Sequence, residues 1–347
     1  MDRGGDWRFV LLAFGASRAF VLAAFAFATA RIHPPFSAAA LERAFVQWDA
    51  TWLLQIAAHG YREAHEQAFF PAFPLLVRGL TTLGHQPVFA AVAVNHLLLL
   101  VACMLLFRIS VPLVGRRAAR GAVLVLLLHP LSFYFSVPYS EALFLTASLA
   151  AVAAARGGHA WAAGLAGALA VLTRNTGIFL LPALAWMLRA TPLRLPWLLP
   201  LPAALGFWML HGARTQGDPL LFVHAQAHWD MFLTWPRALW RDLGRYRAWM
   251  GHHLPFSLLG VVLAVQVARR LPRSYILYVA GPVVLSFCLP KLAITPRLHL
   301  VLFPLWIVAA QGLALRPRTI AYALLALASL ALQWHLVGRY VATLWVD

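Results

Sequence analysis

Eleven stretches of this chain are apolar over nearly the length of a bilayer crossing, and that repetition limits the fold more than any single motif. They fall at about 9–30, 86–107, 119–137, 139–155, 159–173, 176–188, 196–211, 253–268, 274–290, 298–315 and 319–337, against the roughly 20 residues that a helical span requires. Backbone groups in hydrocarbon must be bonded within their own segment, so these stretches are expected to be helices. Composition agrees: 62% of the 347 residues are apolar and 11% are charged, whereas a soluble domain is about half apolar and about a quarter charged. No core that a chain of this length encloses would absorb the excess. The expectation is an all-α polytopic integral membrane protein with about 11 spans, within a range of about 9–12. Proline interrupts several runs, notably around His129, Pro130 and Pro138, which predicts a broken or re-entrant helix there.

The charges sort by face. Lys and Arg number 28, only one of them lysine, against 11 acids, for a net +17. In a membrane protein that balance points to anionic headgroups and phosphate substrates, not to nucleic acid. Cations such as Arg116, Arg117, Arg120, Arg156, Arg189, Arg194, Arg269 and Arg270 crowd short loops on the side of the N-terminus, which predicts an N-terminus inside. Nine acids, among them Asp49, Glu141, Asp218 and Asp230, map to the opposite face, and only Asp2 and Asp6 to the N-terminal one. Residues 1–347 are expected to form a single membrane domain with two sizeable extracytoplasmic loops, about 31–85 and 212–252. Ala28-Thr29-Ala30 resembles a signal-peptide cleavage site, but the preceding run of about 20 residues exceeds a 7–15-residue h-region, so a retained first helix is expected. Cys103 and Cys288 lie in apolar runs and offer neither a disulfide framework nor a thiolate metal site.

Chemistry-bearing residues concentrate on the acidic face. In the first loop, Gln47-Trp48-Asp49-Ala50-Thr51-Trp52 belongs to a segment, about 38–58, whose pattern suits a helix lying in the interface. That helix would hold Asp49 among Trp48, Trp52 and Tyr61 at headgroup depth, partly desolvated as a general base needs to be. Simple capping or solvation of the helix is the competing reading. Glu141, after Tyr139-Ser140, is an acid close to hydrocarbon, either a functional group or a first-turn cap. Arg174-Asn175 interrupts two apolar runs, and Lys291 and Arg297 flank another turn on the same face. Such cations clamp phosphate or serve as interfacial anchors. The 14 histidines show no metal-ligand spacing and no DxD pair is present, so neither metal nor cofactor is expected.

Taken in order, Trp48-Asp49, Gly60-Tyr61, Phe69-Phe70-Pro71 with Pro74, Tyr139-Ser140-Glu141, Arg174-Asn175 with Gly177, Asp218-Pro219 with Gln226 and Trp229, and Pro296-Arg297 resemble the PIG-V-type mannosyltransferases in their bacterial form. Ala72 and Leu298 depart from the pattern, where leucine and tyrosine are expected. The resemblance implies a GT-C-class fold in a bacterial cytoplasmic (inner) membrane. It implies transfer of a hexose, mannose in the family, from a polyprenyl-phosphate sugar donor to an unidentified acceptor on the extracytoplasmic face, with inversion. On that reading Asp49 is the base and Arg174, Arg297 and Lys291 face the phosphate. Tyr139, Glu141, Asn175 and Gln226 meet the substrate, and Trp48 or Trp229 stacks on the sugar. A transporter or flippase of lipid-linked sugars is the other class that wants intramembrane arginines and acids. The absence of an internal repeat and the one-sided polar residues weigh against it.

Overall fold

A computed structural model describes residues 3–229, 231, 247–289, 295–314, 319–344 and 346, which are helical with no strand among them. In chain order the helices are α1 (Arg3–Ile32), α2 (Ala38–Phe45), α3 (Asp49–His59), α4 (Ala72–Thr82), α5 (Pro87–Leu128), α6 (Glu141–Arg156), α7 (Ala160–Thr173) and α8 (Leu180–Leu188). There follow α9 (Pro200–Gln216), α10 (Leu221–His224), α11 (Arg247–Arg270), α12 (Arg273–Phe287), α13 (Thr295–Leu300), α14 (Phe303–Ala314) and α15 (Thr319–Val341). Among the described residues, the helical segments Gly5–Ile32, Pro87–Leu128, Pro192–Gln216 and Ile320–Val341 are long and apolar enough to cross a membrane, and shorter apolar helices accompany them. This is an integral membrane protein.

The chain divides into two compact units. The first comprises Met1–Ala58, Phe73–Thr146 and Trp306–Val346, and the second His59–Ala72 and Ala147–Leu305.

In the first unit α5 is 42 residues long, about 63 Å if straight, twice a hydrocarbon core of about 30 Å. It is not straight. Gly115 takes φ 79° and ψ 166° just after Pro112, a left-handed position that a glycine enters without steric cost. Both limbs touch α1. Trp7 meets Phe107 (centroids 6.2 Å) and Asp6 pairs with Arg116 and Arg120 at 3.2 and 2.8 Å, while Arg18 reaches Ser132. The expected runs 86–107 and 119–137 therefore correspond to the two limbs of one folded-back element. The second limb stops at Leu128, because His129 and Pro130 end the ladder, and a 3-10 turn, Ser132–Ser136, follows. All fifteen residues from 131 to 145 are buried. Asn95, 0% exposed, ties this segment to the first limb of α5 by donating to the carbonyls of Val137 (2.6 Å) and Tyr139 (2.9 Å).

The second unit packs α7 on α9, and at Gly164 and Gly167 the missing side chains let Pro200 and Leu201 approach closely. Its loop of residues 59–72 is anchored by Phe70, which packs with Trp208 and Phe222. The α13 turn and the start of α14 are buried, with Phe303 against Tyr275 and Tyr278 at centroid distances of 6.2 and 5.8 Å.

Candidate functional site

The segment 38–58, read from sequence as one helix, is two: α2 ends at Phe45 and α3 begins at Asp49. The break falls at Trp48, whose φ is +53°, a backbone region that L side chains enter at a cost of about 1–2 kcal/mol. The corner persists because its carbonyls are held. Gln47 O accepts from the amide of Ala50 at 3.1 Å and from the hydroxyls of Tyr139 and Tyr340 at 3.2 and 3.3 Å. The Gln47 amide side chain donates to Arg43 O at 2.9 Å. Trp48 is left 39% exposed, and Asp49 stands half-buried as the first residue of α3.

Tyr139, 1% exposed, belongs to an aromatic cluster with Tyr134 (stacked, 5.2 Å) and Tyr340 (edge-on, 6.3 Å). Two residues on, Glu141 opens α6 with 0% exposure, and Phe144 N closes the first turn on Ser140 O at 3.0 Å. The first unit thus brings Tyr139 onto the backbone that carries Trp48 and Asp49.

Sequence reading passed over two residues of this unit. Arg18 sits near the middle of α1, 3% exposed, and donates to Ser132 O (3.0 Å), Ser132 Oγ (2.9 Å), Ser136 Oγ (2.9 Å) and Ser17 Oγ (2.8 Å). Gln333 of α15 adds bonds to Ser132 Oγ and His129 O. A lone cation inside an apolar span was the available signal. Tyr340, on the last helix, carried none.

In the second unit Arg174 is the extended cap of α7, half-buried, and Asn175 starts a 3-10 turn. Gly177 packs this turn so closely on α7 that a Cβ there would lie 2.5 Å from Val171 N and 2.6 Å from Ala170 C. Arg297 is 5% exposed within the buried α13 turn, beside Thr295 at 0% and His299 at 3%. Lys291 and Asp230 lie outside the described residues. Gln226 donates to Ala68 O at 3.4 Å, and Trp229 stands edge-on to Phe69 (5.4 Å) and His65 (5.6 Å), with His65 stacked on His228 at 4.2 Å. Gln226 and Trp229 therefore share one surface with residues of the 59–72 loop, which Glu66 caps by accepting from the amides of Arg62 and Glu63. Tyr61 donates to Phe69 O at 2.9 Å; burial, and after it the Glu66 carboxylate, hold its phenol above the usual range.

Chemically, the first unit offers a carboxylate at the head of a helix, flanked by indole and phenol rings. The second offers two arginines, one buried, with an amide and an indole on a separate surface. The first set suits proton removal and contact with a ring; the second suits an anion.

Residues 16–189, half of the chain, match the family described as Mannosyltransferase (PIG-V). GPI alpha-1,6-mannosyltransferase 2 of Cricetulus griseus is 36% identical over 143 residues, which cover 38% of this chain and 29% of that protein. Its counterpart in Rattus norvegicus is 35% identical over 168 residues, 44% and 34% of the two chains. The chain thus spans about a third of the length of these relatives. The crystal structure of ArnT from Cupriavidus metallidurans bound to undecaprenyl phosphate is similar over 90% of this chain and 62% of that one, with a TM-score of 0.53 at 20% identity. That likeness concerns the fold, which is GT-C-like.

Proposed function

The chain belongs to the mannosyltransferase (PIG-V) family, and on that premise we propose that it is a membrane glycosyltransferase moving a hexose, mannose, from a polyprenyl-phosphate sugar to an acceptor hydroxyl on the extracytoplasmic face of a bacterial inner membrane. The observation that carries the reading is that the matched stretch, 16–189, contains the Trp48-Asp49 corner, Tyr139 to Glu141, and the Arg174-Asn175 turn.

In the reaction we propose, Asp49 takes the proton of the acceptor hydroxyl. The freed oxygen pair attacks the anomeric carbon as the bond from that carbon to the phosphate oxygen breaks, and polyprenyl phosphate leaves with the bonding electrons. Configuration inverts. A phosphate leaving group needs countercharge and no protonating acid, and Arg174, Arg297 and Lys291 supply it. Glu141, Tyr139 and Gln226 bond sugar hydroxyls, Asn175 also meets the substrate, and Trp48 or Trp229 offers a ring face. The same proposal includes about 11 crossings and places α2 and α3 in the membrane interface.

The test is incubation of the purified protein with a panel of polyprenyl-phosphate sugars. Release of polyprenyl phosphate, fastest with mannose, is expected. Passage of an intact lipid-linked sugar across the bilayer, with no cleavage of any donor, would replace transfer by transport.

A further inference from the structure

Three donors converge on one carbonyl oxygen beside the proposed base. Gln47 O accepts from Tyr139 and Ala50 close by in the fold, and also from Tyr340, which lies 293 positions further along the chain. The single proton of the Tyr340 hydroxyl is shared with Phe45 O, the nearer acceptor at 3.1 Å, so the hydroxyl spans the α2 to α3 corner. Its ring, 0% exposed, packs against Phe133 at 5.5 Å and Phe25 at 5.9 Å. Phenylalanine would fill that space equally well, and a buried hydroxyl is unfavourable unless it is bonded. The hydroxyl therefore matters for what it holds, which is the backbone on either side of a tryptophan kept at φ +53°.

We propose that Tyr340 is a positioning residue for Asp49. It fixes the Gln47 carbonyl, and through it the left-handed Trp48 and the first turn of α3, so that the carboxylate is presented in one orientation. The proposal rests on the reading of Asp49 as the base. Without the hydroxyl, Trp48 relaxes toward ordinary backbone and the carboxylate spreads over several orientations. The rate of the chemical step falls while substrate binding does not.

The experiment compares the full chain as wild type, as Tyr340→Phe, and with 4-aminophenylalanine at 340, which keeps a donor in the same place. Amide hydrogen exchange at Ala50 and Thr51 reads the corner without needing turnover. About tenfold faster exchange is expected in Tyr340→Phe, the loss worth roughly one net hydrogen bond, with recovery in the amino variant and no change in α7. With a polyprenyl-phosphate mannose as substrate, kcat should fall about tenfold while KM stays within about twofold. Unchanged exchange overturns the inference, as does faster exchange with unchanged kcat, or failure of the amino variant to restore either. Asp49→Asn is run beside these variants. If it turns over like wild type, or if wild type cleaves no donor, the reading of Asp49 has failed, and exchange at Ala50 and Thr51 alone decides whether Tyr340 holds the corner. Should Tyr340→Phe not fold, Tyr139→Phe removes another donor from the same oxygen, and unchanged exchange there overturns the idea.

Discussion

Glu141 and Arg297 are 0% and 5% exposed, and Asp49 is half-buried behind a strained tryptophan. Burying an ionised group costs several kcal/mol before its partners repay it, so such groups persist where chemistry or a specific architecture uses them. For Asp49 the consequence is testable. Asp49→Asn keeps the shape and removes the proton acceptor, so transfer should drop about a hundredfold or more while the thermal transition in detergent stays put. Transfer within about threefold of wild type would end the assignment. Arg297→Lys conserves charge, yet an ammonium binds phosphate as a point while a guanidinium binds two oxygens at once. The donor KM should therefore rise about tenfold or more. An unchanged donor KM and rate would make Arg297 a packing residue of the buried α13 turn.

Buried polar contacts tie helices to turns in this protein, and each is costly to break. Arg18 links α1 to the Ser132–Ser136 turn through three bonds and braces itself on Ser17 Oγ with a fourth. Arg18→Ala leaves Ser132 O and Ser136 Oγ without that donor in a buried place. A loss of about 2–4 kcal/mol is expected, read as a lower thermal transition. Lysine should restore only part of it, because one ammonium cannot fan across the three serines. Full stability in Arg18→Ala would show that the turn stands without the arginine. Past the end of α9, His224 Nδ1 lies 2.6 Å from Asp218 Oδ2 and Leu220 N donates to Asp218 Oδ1 at 2.9 Å. The bond with His224, more than the one from Leu220, holds this carboxyl below its usual range. A folded pKa below the unfolded one means the contact contributes above the unfolded value and is lost as pH falls through the folded value. Protection of the Leu220 amide, corrected for intrinsic exchange, should thus persist through neutral pH and vanish only below the ordinary carboxylate range. Loss near neutrality would contradict the sign.

Across the molecule, the distribution of acids and arginines predicts sidedness, and burial says where that can be measured. Positions 141 and 295 are buried and unsuitable for labelling, whereas Arg62, Arg117, Arg214 and Arg270 are exposed. In a background without Cys103 and Cys288, cysteines at 62 and 214 should react with an impermeant thiol reagent on intact cells. Cysteines at 117 and 270 should react only after permeabilisation. Labelling of 62 and 117 from the same side would refute the alternation of loops. Joint inversion of all four would leave the alternation standing and reverse only its sense.

Hydrophobicity is a property of one segment at a time, and this is why the helical membrane character and the limits of some helices were legible. The runs read at 139–155, 159–173 and 274–290 became helices Glu141–Arg156, Ala160–Thr173 and Arg273–Phe287. The residue types of the candidate site were legible too, because Asp49, Glu141, Arg174 and Arg297 are polar where apolar residues are the rule. The break at 46–48 was not, since nothing local in Gln47-Trp48-Asp49 asks a tryptophan to adopt φ +53°. Nor was the use of Arg18 or Tyr340. A phenol on the last helix looks like any interfacial tyrosine until the packing of α15 on α1 and α2 brings its hydroxyl to the carbonyls of Phe45 and Gln47. Sequence alone determined which segments leave water and which side chains are too polar to do so without a reason. Tertiary structure decided which backbone oxygen each distant donor meets, because that depends on the summed packing of helices hundreds of residues apart and on no property of either residue by itself.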